Sequence, residues 1–124
     1  VNKILFVDSD PLRAVLFYQR INASDKYRVI WVRSVKEAIQ SLKENSFDHV
    51  HLENDLDKTV IDPDSQFEFS GMEVVRWVIK RKSNFNNTLF HIHTWNIRAG
   101  EEMAKKLLEN NLFVVVSPFG LSKI

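Results

Sequence analysis

The chain has 124 residues, 44% of them apolar and 27% charged, the composition of one globular domain built on one hydrophobic core. A formal charge of +1 gives no argument for an extended nucleic-acid binder, whose mark is a concentrated basic surface, and the lack of cysteine excludes disulfides and thiolate chemistry. Apolar runs fall well short of the roughly 20 residues a bilayer requires, so no membrane partner is expected and a cytoplasmic location is the default.

Lys3 to Val7 is a short continuous apolar run, the pattern of a strand covered on both faces. Asp8, Ser9, Asp10 and Pro11 end it. Asp10 suits a helix cap and Pro11 a first helical position, so a helix is expected through about Ile21. Arg28 to Arg33 is rich in β-branched and aromatic residues and predicts a second strand. Ser34 and Glu37 have capping-box spacing and open a helix to about Asn45, with Ala38, Ile39 and Leu42 on its inner face. The third strand carries His49 and His51 and ends near Glu53.

Residues 55–70 hold several acidic groups, one Pro and little periodicity, and predict an ordered or mobile loop over the strand ends. Ser70 and Glu73 repeat the capping spacing ahead of a helix carrying Met72, Val75, Val78 and Ile79. An Asn-rich turn from Ser83 to Thr88 leads into a fourth strand, Leu89 to His93. A fourth helix is expected from about Ile97 to Glu109 and a fifth strand from Leu112 to Val116. Short apolar strands alternating with helices argue for an α/β fold, a doubly wound five-stranded parallel sheet forming a single domain over residues 1–124. No final helix is expected after the fifth strand, and the sheet face left uncovered favours a homodimer or a protein partner.

All four histidines lie in the third and fourth strands. Alternate strand residues share a face, so His51 projects with Glu53 and His91 with His93. With strands one and three side by side, Asp8, Asp10, Glu53 and Asp55 gather at one sheet edge. Unit charges about 5 Å apart repel by roughly 3 kcal/mol at an effective dielectric near 20, so four ionised carboxylates need compensation. Mg²⁺ or Mn²⁺ supplies it; alternatively some carboxylates cap helices, as Asp10 beside Pro11 can, and others face solvent.

His93 at a strand end is placed for proton transfer, and the alternative is a buried histidine bonded to backbone or to Asp55. His91 and His49 sit deeper and read as structural, with His51 intermediate. Asn96 can cap the fourth helix or orient a substrate oxygen, and the free N–H groups there, with Arg98 nearby, attract an anion. Thr94 can donate to a phosphoryl oxygen. Trp95 can stack on a base, although packing is the commoner role of an aromatic residue at a strand end.

The order of elements and these edge residues resemble the receiver domain of bacterial two-component systems. The resemblance implies the flavodoxin-like strand order 2-1-3-4-5, Mg²⁺ at Asp8 and Asp10, and Glu53 at the phosphate-accepting position. Glu53 stands where an Asp is expected and Ser117, before Pro118, where a Lys is expected, so ordinary phosphorylation signalling is not anticipated.

A closer resemblance is to the cyclic-phosphate processing receiver-like domains, a divergent branch. His51-Leu52-Glu53-Asn54-Asp55-Leu56 is similar to their strand-three motif Ser-Leu-Asp-His-Asp-Leu. His93-Thr94-Trp95-Asn96-Ile97 is similar to their His-Ser-x-Asn-Pro, with Met103 downstream, and Gly71 and Trp77 fit their third helix. Glu53, Asn54 and Ile97 stand where the motif has Asp, His and Pro, so proton transfer by the motif His is not expected here.

The resemblance implies processing of a small cyclic-phosphate or phosphorylated nucleotide derivative, by a metal-dependent phosphohydrolase if catalytic. Taken together, these readings place His93, Asp55 and Glu53 in catalysis, and Thr94, Asn96, Arg98, His51 and Asn54 at the substrate. Asp8, Asp10, Glu53 and Asp55 are the expected metal ligands. Two rivals are a degenerate receiver acting as a non-catalytic interaction module and a ligand sensor without turnover.

Overall fold

Apolar strands alternate with amphipathic helices to build a three-layer α/β sandwich in the computed structural model, which describes residues 2–21, 26–56 and 70–117. In chain order the elements begin with β1 (Asn2–Val7), α1 (Pro11–Ile21), β2 (Tyr27–Val32), α2 (Val35–Glu44) and β3 (His49–Leu52). They continue with α3 (Gly71–Ile79), a 3-10 turn (Lys82–Phe85), β4 (Leu89–Ile92), α4 (Ile97–Glu109) and β5 (Phe113–Val116). Among the described residues every pairing between these strands is parallel, as the alternation of strands and helices predicted, and the order is β2-β1-β3-β4-β5, the one that the receiver resemblance implied. The order reverses at β1, so β1 and β3 frame the crevice where open α/β sheets take their ligands.

Strand parity divides the core. Leu5, Val7, Val50, Leu52, Phe90 and Ile92 are fully buried on the side packed by α2, α3 and α4. Burying such a side chain is worth about 1.5–3 kcal/mol, so this face dominates the stabilisation. On the opposite face Ile4 and Phe6 pack with Ala14, Phe17 and Ile21 of α1, and the Phe6 and Phe17 rings stack at 4.2 Å. Register places His51 beside Phe6 and His91 beside His51, so the histidines share the α1 face. Phe113 and Val115, in register with Leu89 and His91, are exposed.

Several boundaries differ from the sequence reading. β2 starts at Tyr27, β4 stops at Ile92 and β5 starts at Phe113, because the ladder of hydrogen bonds sets a strand's extent while composition does not. The Asn-rich turn contains a 3-10 helix. Ser34 accepts from Glu37 N at 3.2 Å as its spacing predicted, whereas Ser70 makes no side-chain capping bond and Glu73 pairs instead with Arg76 at 2.7 Å. The loop expected over the strand ends falls, from residue 57 to 69, outside the described residues, as does the chain after Ser117 where no final helix was expected. Among the described residues no helix is long and apolar enough to cross a membrane.

Candidate functional site

The site is built at the C-terminal end of β1. Asp8 remains tied to the sheet: its N–H donates to Val32 O at 3.1 Å, and its carbonyl accepts from Trp31 Nε1 at 2.8 Å. Its fully buried carboxylate receives donors at both oxygens. Asp10 N and Arg13 Nη2 reach Oδ1, both at 2.8 Å, while Arg13 Nε at 2.8 Å and His93 Nε2 at 2.9 Å reach Oδ2. These occupy the lone-pair positions that an ionised carboxylate offers. Burial alone would raise the Asp8 carboxyl, but hydrogen bonds from His93, Arg13 and the Asp10 amide together hold it below the ordinary carboxylate range. Opposite an ionised Asp8, His93 Nε2 carries the proton.

Arg13 was not anticipated from the sequence as part of the site. α1 turns Ala14, Phe17 and Ile21 toward the sheet, and Arg13, one turn before Phe17, reaches the strand end along the same side. Besides Asp8 it approaches Asp10 Oδ2 at 3.5 Å and Glu53 Oε2 at 3.9 Å. The Asp8 hydrogen bonds raise its pKa, burial opposes them, and the charges of Asp8, Glu53 and Asp10 reinforce the rise. A cation three residues after Asp10, in the first turn of a helix rooted in an acidic loop, was the available signal.

Glu53 continues the sheet through its N–H to Val7 O at 3.0 Å, but its side chain turns back on its own loop. Oε1 accepts from Asn54 N at 2.7 Å and Asp55 N at 3.4 Å. Gly71 makes this arrangement possible: a Cβ there would stand 2.3 Å from Glu53 O and 2.7 Å from Met103 Cε. Lacking one, α3 begins against the end of β3, and Gly71 N donates to Asn54 O at 2.8 Å. His93, 1% exposed, stacks on Phe6 at 5.1 Å with an interplanar angle of 3°. Asp8, Glu53 and His93 each bring a ligand-type atom within 4.8 Å of the others, and the two carboxylates fit a hard divalent cation chemically.

The other expected residues divide. Asp10 Oδ1 caps α1 through Leu12 N at 2.9 Å, and its other oxygen joins the cluster only through Arg13. Asp55 is exposed and only its backbone meets the cluster, through Ser9 Oγ at 3.2 Å and Glu53 Oε1 at 3.4 Å: its carboxylate accepts from Asn54 Nδ2 at 3.3 Å. The alternation that was to aim Asp55 inward stops at Leu52, where β3 ends. The compensation expected from a metal is supplied by Arg13. His93 pairs with Asp8, not with Asp55 or backbone as its alternative reading had it.

Thr94 Oγ1 accepts from Asn96 N at 3.1 Å, and Asn96 Oδ1 caps α4 through Ala99 N at 3.1 Å. Arg98 does not enter the site; its side chain is 92% exposed and faces Glu102 at 3.9 Å. Trp95 is 70% exposed, which corrects the expectation that it packs. Asn54, half-buried, lines a cleft between α3 and α4 with Met72 and Arg76.

His51 is buried rather than open to a substrate. It stacks on His91 at 4.0 Å and meets the edge of Phe17 at 4.7 Å, while His49 Nδ1 and His91 Nε2 share a hydrogen bond of 3.0 Å. Burial, reinforced by neighbouring histidines, drives His51 well below its ordinary pKa and His91 down to about 4. These rings are neutral core aromatics near pH 7.

The chain is similar over its length to solved receiver domains. It shares 24% identity and a TM-score of 0.69 with the non-phosphorylated HemR receiver domain of Leptospira biflexa, covering 98% of this chain and 85% of that one. The response regulator TrrA of Thermotoga maritima, in complex with Mg²⁺ and BeF, gives 18% identity and a TM-score of 0.69, covering 98% and 91%. A CheY-like receiver domain of Methanospirillum hungatei gives 16% and 0.68, covering 95% and 82%. At these identities the likeness establishes the fold alone. No curated protein matches the chain. The family described as the cyclic-phosphate processing receiver domain matches residues 3–109, and the chain belongs to that family.

Proposed function

We propose that the domain binds and hydrolyses a small cyclic-phosphate or phosphorylated nucleotide derivative at the end of β1, β3 and β4. The observation that carries this reading is the buried Asp8–His93 pair, joined at 2.9 Å beside Glu53 at the sheet's switch point. His93 carries a proton on Nε2 toward Asp8, and an imidazole so placed can pass a proton to a leaving ribose oxygen. Thr94 and the first N–H groups of α4 receive the phosphoryl oxygens. Exposed Trp95 offers its face to a base. Asp8 and Glu53 would hold Mg²⁺ or Mn²⁺, which when bound polarises a phosphoryl oxygen and lowers the pKa of water.

A second reading, a non-catalytic ligand-sensing or protein-interaction module, is favoured by one observation. Asp8 is already saturated by donors and Glu53 Oε1 is engaged with its own loop, so these carboxylate oxygens are occupied without a ligand. Incubation with nucleoside 2′,3′-cyclic phosphates and ADP-ribose cyclic phosphate in Mn²⁺, followed by phosphorus NMR, separates the readings. New phosphomonoester resonances support hydrolysis. An unchanged spectrum with a raised melting temperature supports sensing, and no change in either supports the interaction module.

A further inference from the structure

We propose that Arg13 is the resident cation of the acidic cluster, and that a divalent metal ion reaches Asp8 only by displacing the Arg13 guanidinium. The inference rests on the reading of Asp8 and Glu53 as metal ligands and adds what controls their occupancy. A metal ion needs a carboxylate lone pair, and the positions on Asp8 are taken by Asp10 N, both Arg13 nitrogens and His93 Nε2. One donor must leave.

The three donor residues differ in their freedom to do so. The Asp10 amide is fixed in the turn that starts α1, where Asp10 O also accepts from Ala14 N at 3.2 Å. His93 is 1% exposed, stacked on Phe6 and held by its own N–H to Leu52 O at 3.1 Å. Arg13 is 22% exposed on a long side chain, so rotation about its own bonds withdraws the fork without moving the backbone.

Charge points the same way. Arg13 faces Asp8, Asp10 and Glu53 together, so its departure leaves carboxylates that attract a replacement cation. A guanidinium does not lose its proton in this setting, so Arg13 leaves the cluster by rotating away under competition from the metal ion and not by neutralising. Arg13 thereby sets the metal concentration at which the site is filled, and keeps the cluster folded below it.

Calorimetric titration with Mn²⁺ tests this on the whole chain, comparing wild type, Arg13→Gln and the double variant Asp8→Asn/Arg13→Gln. Losing the bidentate competitor should tighten Mn²⁺ binding in Arg13→Gln by about tenfold or more, and the Asp8 substitution should remove that gain. Equal or weaker binding by Arg13→Gln overturns the proposal while leaving the metal reading intact. Binding by neither protein overturns both. Should Arg13→Gln not fold, nitrogen-15 NMR of wild type decides: Mg²⁺ should shift the Arg13 Nε resonance and speed its solvent exchange. An Nε resonance unmoved at every Mg²⁺ concentration overturns the exchange.

Discussion

His93 Nε2 donates to Asp8 Oδ2 at 2.9 Å across 85 positions of sequence, with side-chain exposures of 1% and 0%. The bond spans β3, linking the end of β4 to the end of β1, and therefore ties the two sides of the switch point together. A charge-assisted bond in such a dry setting is stronger than a neutral one, and its loss leaves an expensive orphan.

Asp8→Asn should lower the unfolding free energy by about 3 kcal/mol, because the amide keeps the shape but leaves the Arg13 fork facing N–H groups where it had an anion. Urea denaturation of the two proteins at pH 7 gives the difference directly. A change below about 0.5 kcal/mol would mean that the Arg13–Asp8 pair contributes little net stability.

Stability should fall as pH drops from about 6.5 toward 4. In the folded protein burial holds His91 at about 4 and His51 well below its ordinary value, whereas both recover ordinary values on unfolding. Within that window the unfolded chain binds more protons, so protonation favours unfolding; His91 alone is worth up to about 3 kcal/mol. Above pH 6.5 this contribution is complete and flat. Below about 4 the depressed Asp8 carboxyl adds a further loss, because the unfolded chain protonates it first. His51→Phe keeps an aromatic ring, removes a buried Nε2 without a hydrogen-bond partner, and should flatten the slope of melting temperature against pH.

Gly71→Ala should destabilise the fold by about 2 kcal/mol, since the new methyl meets backbone carbonyl, which cannot rotate away as a side chain can. Amide exchange should quicken at Asn54 and Asp55, whose N–H groups hold Glu53. Stability equal to wild type would show that α3 can shift without cost.

Trp95→Ala should leave stability within about 0.5 kcal/mol, as for other exposed side chains. It should weaken binding of a nucleoside 2′,3′-cyclic phosphate by about tenfold, the scale of one lost base stack. Fluorescence titration reads both the wild-type affinity and, by competition, that of the variant.

The fold was legible because parity and turn chemistry agree along the chain. Continuous runs such as Ile4 to Val7 belong to strands covered on both faces, and Asp10, Ser34 and Asn96 announce helices that they do cap. The site was only partly legible. Asp8, Glu53 and His93 could be assigned to one edge because each directly follows a strand, but strand alternation carries no information further along the loop. It therefore misplaced Asp55. Arg13 escaped because an acidic cluster can be neutralised by a bound ion or by a cation on the adjoining helix, and its contacts with Asp8, Asp10 and Glu53 appear only once α1 is packed on the sheet. His51 and His91 were titratable in the sequence yet serve as neutral packing, a distinction that depends on what covers them.

The most direct measurement of the central claim is the phosphorus NMR rate of cyclic-phosphate opening by wild type and His93→Gln, with Mn²⁺ present. Glutamine retains a hydrogen bond to Asp8 but cannot transfer a proton, so the variant should stay folded by circular dichroism and be slower by about a hundredfold or more. Equal rates in the two proteins would contradict the account.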